Sequence, residues 1–107
     1  LNIGTSADAV NCFIKLIRTS TDIKIGDASS GRTRLTTVVE RHGRLAMQNV
    51  AGSFLDTSPA TGVNTYKVYW TNSGGSVVSY LNKGSADSDN GYTGRGASTL
   101  TLLEIKA

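Results

Sequence analysis

Short segments of alternating apolar and polar residues, separated by turns of Gly, Ser, Asn and Asp, run through almost the whole chain. Successive side chains of a β-strand point to opposite faces, so alternation with a period of two is the pattern of a strand with one buried face. The chain holds 13 Thr, 12 Ser, 12 Gly and 7 Asn among its 107 residues. Thr favours strands, whereas the other three favour turns. The sequence therefore predicts an all-β fold.

The alternation divides the chain into about seven strands. We predict them over residues 10–18, 23–25, 34–40, 45–55, 64–71, 76–81 and 98–106. The run Asn72-Ser73-Gly74-Gly75 predicts a hairpin joining the fifth and sixth of these strands, because Gly supplies the positive φ that tight turns need. Strands at this short spacing are typical of a β-sandwich or jelly roll. We expect residues 1–107 to form a single domain.

The segment 10–18 carries apolar side chains on both faces. Cys12, Ile14 and Leu16 share one face, whereas Phe13 and Ile17 lie on the other. A strand of this kind is expected to be buried on both sides or to contact another subunit. Cys12 is the only cysteine, and within such an apolar run a small core residue is the favoured interpretation.

Residues 82–96 form a long segment of Gly, Asp, Ser and Asn that can bury little apolar surface. We therefore predict an exposed loop outside the core. Tyr92 is its one large amphipathic side chain, and aromatic rings contribute strongly to sugar and protein contacts. Tyr92 is the candidate partner-binding residue.

The charge pattern does not favour binding to nucleic acid or insertion into a membrane. The net charge is +3, and the eleven basic residues are spread along the chain. Their one cluster, formed by Arg32, Arg34, Arg41 and Arg44, is interrupted by Glu40 and holds no aromatic residue. No apolar stretch approaches the ~20 residues of a transmembrane helix.

The residues that catalysis or metal binding requires are sparse. His42 is the only histidine, and no nucleophile elbow or zinc motif accompanies it. Asp87-Ser88-Asp89-Asn90-Gly91 begins like a calcium loop, but Gly91 comes one place early and Ser98 stands where a bidentate Glu is needed. We predict a protein that is not an enzyme and has no catalytic residues, cofactor or metal.

Three segments in their order resemble the C-terminal β-domain of virion structural proteins of tailed bacteriophages, which are often tail-fibre-like. The first segment runs from Ile14-Lys15-Leu16-Ile17-Arg18 to Arg32-Thr33-Arg34, and the second from Phe54-Leu55-Asp56 to Tyr66-Lys67-Val68. The most specific is the third, Arg95-Gly96-Ala97-Ser98-Thr99-Leu100-Thr101-Leu102-Leu103-Glu104-Ile105. Members of that family usually have further strands upstream. The strand-like opening Leu1-Asn2-Ile3 is what a C-terminal part of a longer protein, lacking those strands, would show.

The resemblance implies a jelly-roll-like domain that forms a homotrimer in the phage particle, after assembly in the host cytoplasm. It implies the distal domain of a tail fibre or spike-like appendage that attaches to the host surface, with other virion proteins and a host-surface glycan or protein as partners. A capsid decoration (cement) protein that stabilises the phage head is the alternative. A receptor binder should expose its loop tips, whereas a cement protein should bury them against the shell.

Overall fold

A computed structural model describes residues 1–7, 9–41 and 46–105, and of Arg41 only the backbone. These residues form seven strands and no helix, which confirms the predicted all-β fold. The strands are β1 (Asn2–Thr5), β2 (Val10–Arg18), β3 (Thr21–Ile23), β4 (Thr37–Arg41), β5 (Gln48–Asn49), β6 (Tyr66–Asn72) and β7 (Ser79–Leu81).

The strands form two antiparallel sheets, an arrangement consistent with a β-sandwich. The first sheet has the order β5-β1-β7. The second is built on β2, which pairs with β3 and β4 along one edge and with β6 along the other. A jelly roll has eight strands in two Greek keys. The described residues form seven strands, so the jelly-roll topology stays a prediction.

The core lies where the apolar face of β2 meets β1. Ile3, Cys12, Ile14 and Val39 form the buried cluster, and Cys12 is fully enclosed. The ladder between β2 and β4 places Cys12 opposite Val39. The strand predicted over 10–18 is therefore confirmed as β2, and the face of β2 that carries Cys12 and Ile14 is buried. Phe13 and Ile17, on the other face, are only half-buried.

The predicted hairpin between the fifth and sixth strands is wrong. β7 pairs with β1 and not with β6, so the chain crosses to the other sheet after Asn72. A turn does form there, since Val77 N donates to Gly74 O at 3.3 Å. The Gly-rich turn predicts the change of direction, but long-range packing decides which strand the returning segment joins.

The final predicted strand, over 98–106, is also wrong for the residues described. Residues 98–105 contain no strand, although they have strong β-propensity. A strand needs a neighbouring backbone, and no hydrogen bond joins residues 99–105 to another described residue. Of the segment predicted over 45–55 only β5 is a strand, and residue 45 lies outside the described residues. The strands predicted over 23–25 and 34–40 are shifted to β3 and β4.

A close backbone approach joins β1 to the segment that follows β7. A Cβ atom on Gly4 would lie 2.2 Å from the carbonyl oxygen of Lys83 and 3.0 Å from Cα of Gly84. Only glycine permits this contact, and Gly84 is itself buried. The contact fixes the start of the segment 82–96 against the core.

Candidate partner-binding loop

The segment 82–96 leaves the first sheet and returns to it at one closed base. Gly96 N donates to Asn82 O at 2.8 Å, and Lys83 and Arg95 form an isolated antiparallel bridge. The hydroxyl of Ser98 then donates to Asn82 Oδ1. Outside that bridge, no strand lies within 82–96, which agrees with the predicted loop.

Asp87 is the electrostatic centre of this loop. Its Oδ2 accepts hydrogen bonds from Lys83 Nζ at 3.0 Å and from Arg95 Nη2 at 2.8 Å. The hydrogen bond from Lys83, together with the nearby Arg95 charge, lowers the pKa of the Asp87 carboxyl, although partial burial opposes the shift. Because Lys83 and Arg95 flank the loop, this carboxylate links its two sides.

The tip of the loop is a turn organised by Asn90. Its side-chain Oδ1 accepts a hydrogen bond from Tyr92 N at 3.0 Å, and its carbonyl accepts one from Thr93 N at 3.3 Å. The Thr93 hydroxyl also donates to Ser88 O. Asn side chains commonly bond to the backbone two residues on and so initiate turns. The backbone around Tyr92 is therefore held by hydrogen bonds on both sides.

Tyr92 projects from this turn into solvent. It is 88% exposed, the highest value of any aromatic residue described. The ring lies at the surface, as predicted, whereas its role in binding stays a prediction. An exposed ring offers a flat apolar face, and because the backbone of the turn beneath it is already ordered, binding does not have to order that backbone.

A polar cleft of about 380 Å³ opens in the same loop. It is lined by Asp87, Ser88, Asp89, Asn90, Thr93 and Arg95. The carboxylates accept hydrogen bonds, the guanidinium donates them, and the hydroxyl and amide groups do both, so together they can satisfy the hydroxyl groups of a sugar. In the described part of the chain, no three His, Cys, Asp or Glu side chains come together in a group that could hold a metal ion.

A second polar cluster, which the sequence did not predict, fixes the other long loop. Arg18 Nη1 lies 2.7 Å from both carboxylate oxygens of Asp56 and 2.7 Å from Ser58 O. The Tyr66 hydroxyl donates to Asp56 Oδ2 at 2.9 Å. Partial burial raises the Asp56 pKa, but hydrogen bonds from Arg18, Tyr66 and Ser58 outweigh it and lower the pKa. The same contact with Asp56 raises the pKa of Tyr66.

The remaining candidates are buried or lie outside the described residues. Cys12 is a core residue, as predicted, and burial raises the pKa of its thiol despite a hydrogen bond from Ser79. His42 and Arg44 lie outside the described residues, and Arg32 and Arg34 are exposed in a loop before β4. No described residue belongs to a helix long and apolar enough to cross a membrane.

Two further aromatic residues lie on β6. Tyr69 is 52% exposed and Trp70 is 37% exposed, and with Val68 they line a shallow groove. Val68 packs against the core cluster, whereas Trp70, on the same face of β6, is not part of that cluster. Among the described residues no strand pairs with β6 on the side away from β2, so the inner face is open beside Trp70.

The fold and this loop define an all-β domain that displays an aromatic side chain on a polar turn. Comparisons with protein-family models, with curated proteins and with solved structures found no match.

Proposed function

We propose that this chain is a virion structural protein of a tailed bacteriophage, the distal domain of a tail fibre or spike-like appendage that attaches to the host surface. The virion assignment rests on the sequence resemblance carried by segment 95–105 and the two segments before it. The attachment role rests on one observation, the 88% exposure of Tyr92 on a turn held by Asn90.

The chemistry of the loop supports a surface-binding role. The exposed Tyr92 ring can stack on a sugar or pack against a protein, while the neighbouring cleft supplies polar groups that fix orientation. Arg95 is the most exposed charged partner in the ion pairs of this loop, with its side chain 74% accessible. A host-surface glycan or protein is the partner class that fits such a loop.

The test has two parts. Antibodies against the chain, visualised by electron microscopy on intact particles, should mark the tail tip, and the purified domain should bind host cells. Labelling spread over the head, with binding to phage heads instead of cells, would replace this proposal with the capsid decoration role. Absence of label from purified particles would refute both.

A further inference from the structure

In the part of the chain that the structure describes, the edge of β6 away from β2 is open. The orientation of the β6 backbone follows from the hydrogen bonds at its two ends. Thr19 N donates to Thr65 O at 2.6 Å, and Ser73 N donates to Asn11 O at 2.9 Å. Hydrogen-bonded positions alternate along an antiparallel ladder, so the odd-numbered residues of β6 direct their backbone groups toward β2. The residues that direct theirs away from β2, toward the open edge, are Tyr66, Val68, Trp70 and Asn72.

This edge lacks the features that usually protect a sheet margin. It contains no proline, and its only charged residue is Lys67. At seven residues β6 is the longest edge strand in the described part of the chain. Long edges without charges or bulges are sites at which a further strand pairs.

The segment 99–105 has the complementary property. It has no hydrogen bond to another described residue, and its four large apolar side chains are between 51% and 86% exposed. These side chains belong to Leu100, Leu102, Leu103 and Ile105. The seven described residues of this segment are enough to pair along the whole of β6. The Ser98 hydroxyl accepts a hydrogen bond from Asn2 N at 3.0 Å, so the segment leaves the domain from the sheet that does not contain β6.

We propose that residues 99–105 of one copy of this chain add as an antiparallel strand to the open edge of β6 in a second copy. The pairing satisfies two unpaired backbones and covers apolar side chains on both of them. Two copies can exchange these strands reciprocally and form a dimer. Alternatively, each copy can donate its strand to the next, which gives a ring. It is independent of the proposed virion role, because it depends only on the two strands.

Charge and exposure favour one register. Glu104 opposite Lys67 pairs the single charges of the two strands and places Leu102 beside Tyr69 on the same face. On the other face the same register pairs Leu103 with Val68, Ile105 with Tyr66 and Thr101 with Trp70. The exposed side of the Trp70 ring is thereby covered by the added strand.

The register is tested by disulfide trapping between two single variants of the full 107-residue chain. Lys67 and Glu104 would form a non-hydrogen-bonded pair, in which Cα atoms are about 4.5 Å apart, within the range a disulfide spans. Mixing Lys67→Cys with Glu104→Cys under mild oxidation should give a covalent heterodimer. In the mixture of Thr71→Cys with Glu104→Cys, the first cysteine lies four residues, roughly 13 Å, from position 67. This mixture should give at least about tenfold less of the covalent heterodimer.

Equal trapping in the two mixtures, or none in either, would overturn the proposal. The proposal would also be overturned if a chain carrying both Lys67→Cys and Glu104→Cys formed its disulfide within one monomer. Residues 99–105 would then pair with β6 of the same chain. The unsubstituted chain is the control for Cys12, which is buried and should not cross-link.

Association is measured by light scattering on the same chain. The mass should be a dimer or trimer of the 11.2 kDa monomer at micromolar concentration. Thr101→Pro removes a backbone donor that faces β6 and should weaken association about tenfold or more, whereas Thr101→Val keeps the donor and should preserve it. A monomeric mass for the unsubstituted chain, or equal masses for the two variants, would refute strand exchange.

Discussion

Arg18 Nη1 lies 2.7 Å from each carboxylate oxygen of Asp56, which ties the end of β2 to a loop 38 residues further along the chain. The two side chains are 18% and 15% accessible, so solvent screens this pair less than a fully exposed one. Tyr66 donates to the same carboxylate from β6. One acidic side chain therefore joins two strands and a loop, and its loss should be measurable in stability and in pH dependence.

Asp56→Asn should lower the melting temperature at neutral pH. This decrease should appear only at pH values at which the Asp56 carboxyl of the parent chain is ionised. The pKa of Asp56 is lowered in the folded state, so its stabilising effect is present above the unfolded pKa of about 3.9 and is lost as the pH falls through the folded value. The melting temperatures of the variant and the parent chain should therefore begin to converge below about pH 4 and meet once the pH is below the folded pKa. Asp27→Asn, at an exposed loop position, is the matched control. A constant difference across the pH range would contradict an ionic role for Asp56.

Gly4→Ala should destabilise the fold by about 1–3 kcal/mol, the usual cost of overpacking. The added methyl group would lie 2.2 Å from the Lys83 carbonyl, which is backbone and cannot rotate away. Gly75→Ala, where no atom lies within 4 Å of the new Cβ, should change stability by no more than about 0.5 kcal/mol. Urea denaturation of both variants measures the difference, and similar midpoints for the two would show that β1 can move away from Lys83.

The thiol of Cys12 should react with an aromatic disulfide reagent only after the fold opens. It is fully buried, and burial raises its pKa above the ordinary value of 9.0. We expect the reaction in native buffer to be slower than in urea by a factor of roughly a thousand or more. The raised pKa also means that the stabilising effect of the neutral thiol is complete below about pH 9 and is lost as the pH rises further. Rapid labelling of the native chain would place Cys12 outside the core.

Local patterns predicted the two longest strands, β2 and β6, to within two residues at each end, but they did not predict β1, the central strand of the first sheet. The bounds of β2 agree with the predicted segment 10–18, but of its two apolar faces only the one that carries Cys12 and Ile14 is buried. β7 joins β1 because of contacts such as that between Gly4 and Lys83, and neither residue signals the other in sequence. Segment 99–105 has the propensity of a strand but no partner among the described residues, so propensity alone could not decide its structure.

In the candidate loop, segment 82–96, local composition likewise predicted some features, whereas others depend on residues that meet only in the fold. Its Gly, Asp, Ser and Asn content predicted both the loop and the surface position of Tyr92, since such residues cannot form a core. The ion pairs that organise it depend on Lys83, Asp87 and Arg95, which meet only when the loop closes. The cluster around Asp56 was missed for a related reason, because Arg18 and Asp56 are far apart in sequence.

Tyr92→Ala should weaken attachment while leaving the fold nearly unchanged. The ring is 88% exposed, so its removal should alter stability by no more than about 0.5 kcal/mol. Loss of a ring that stacks on a sugar or fills a protein contact should reduce binding to host cells by tenfold or more, on the order of 2 kcal/mol for an interface anchor. Val63→Ala, at a position 95% exposed in a different loop, is the control and should bind normally.

Tyr92→Phe separates the two properties of the side chain. It keeps the ring and removes the hydroxyl, so retained binding would assign the contact to stacking and lost binding to a hydrogen bond. Thermal melting and cell-binding assays should be run on all three variants. A large fall in the melting temperature of Tyr92→Ala would show that the ring supports the loop. Unchanged binding of Tyr92→Ala, both to host cells and to phage heads, would remove Tyr92 from any partner contact.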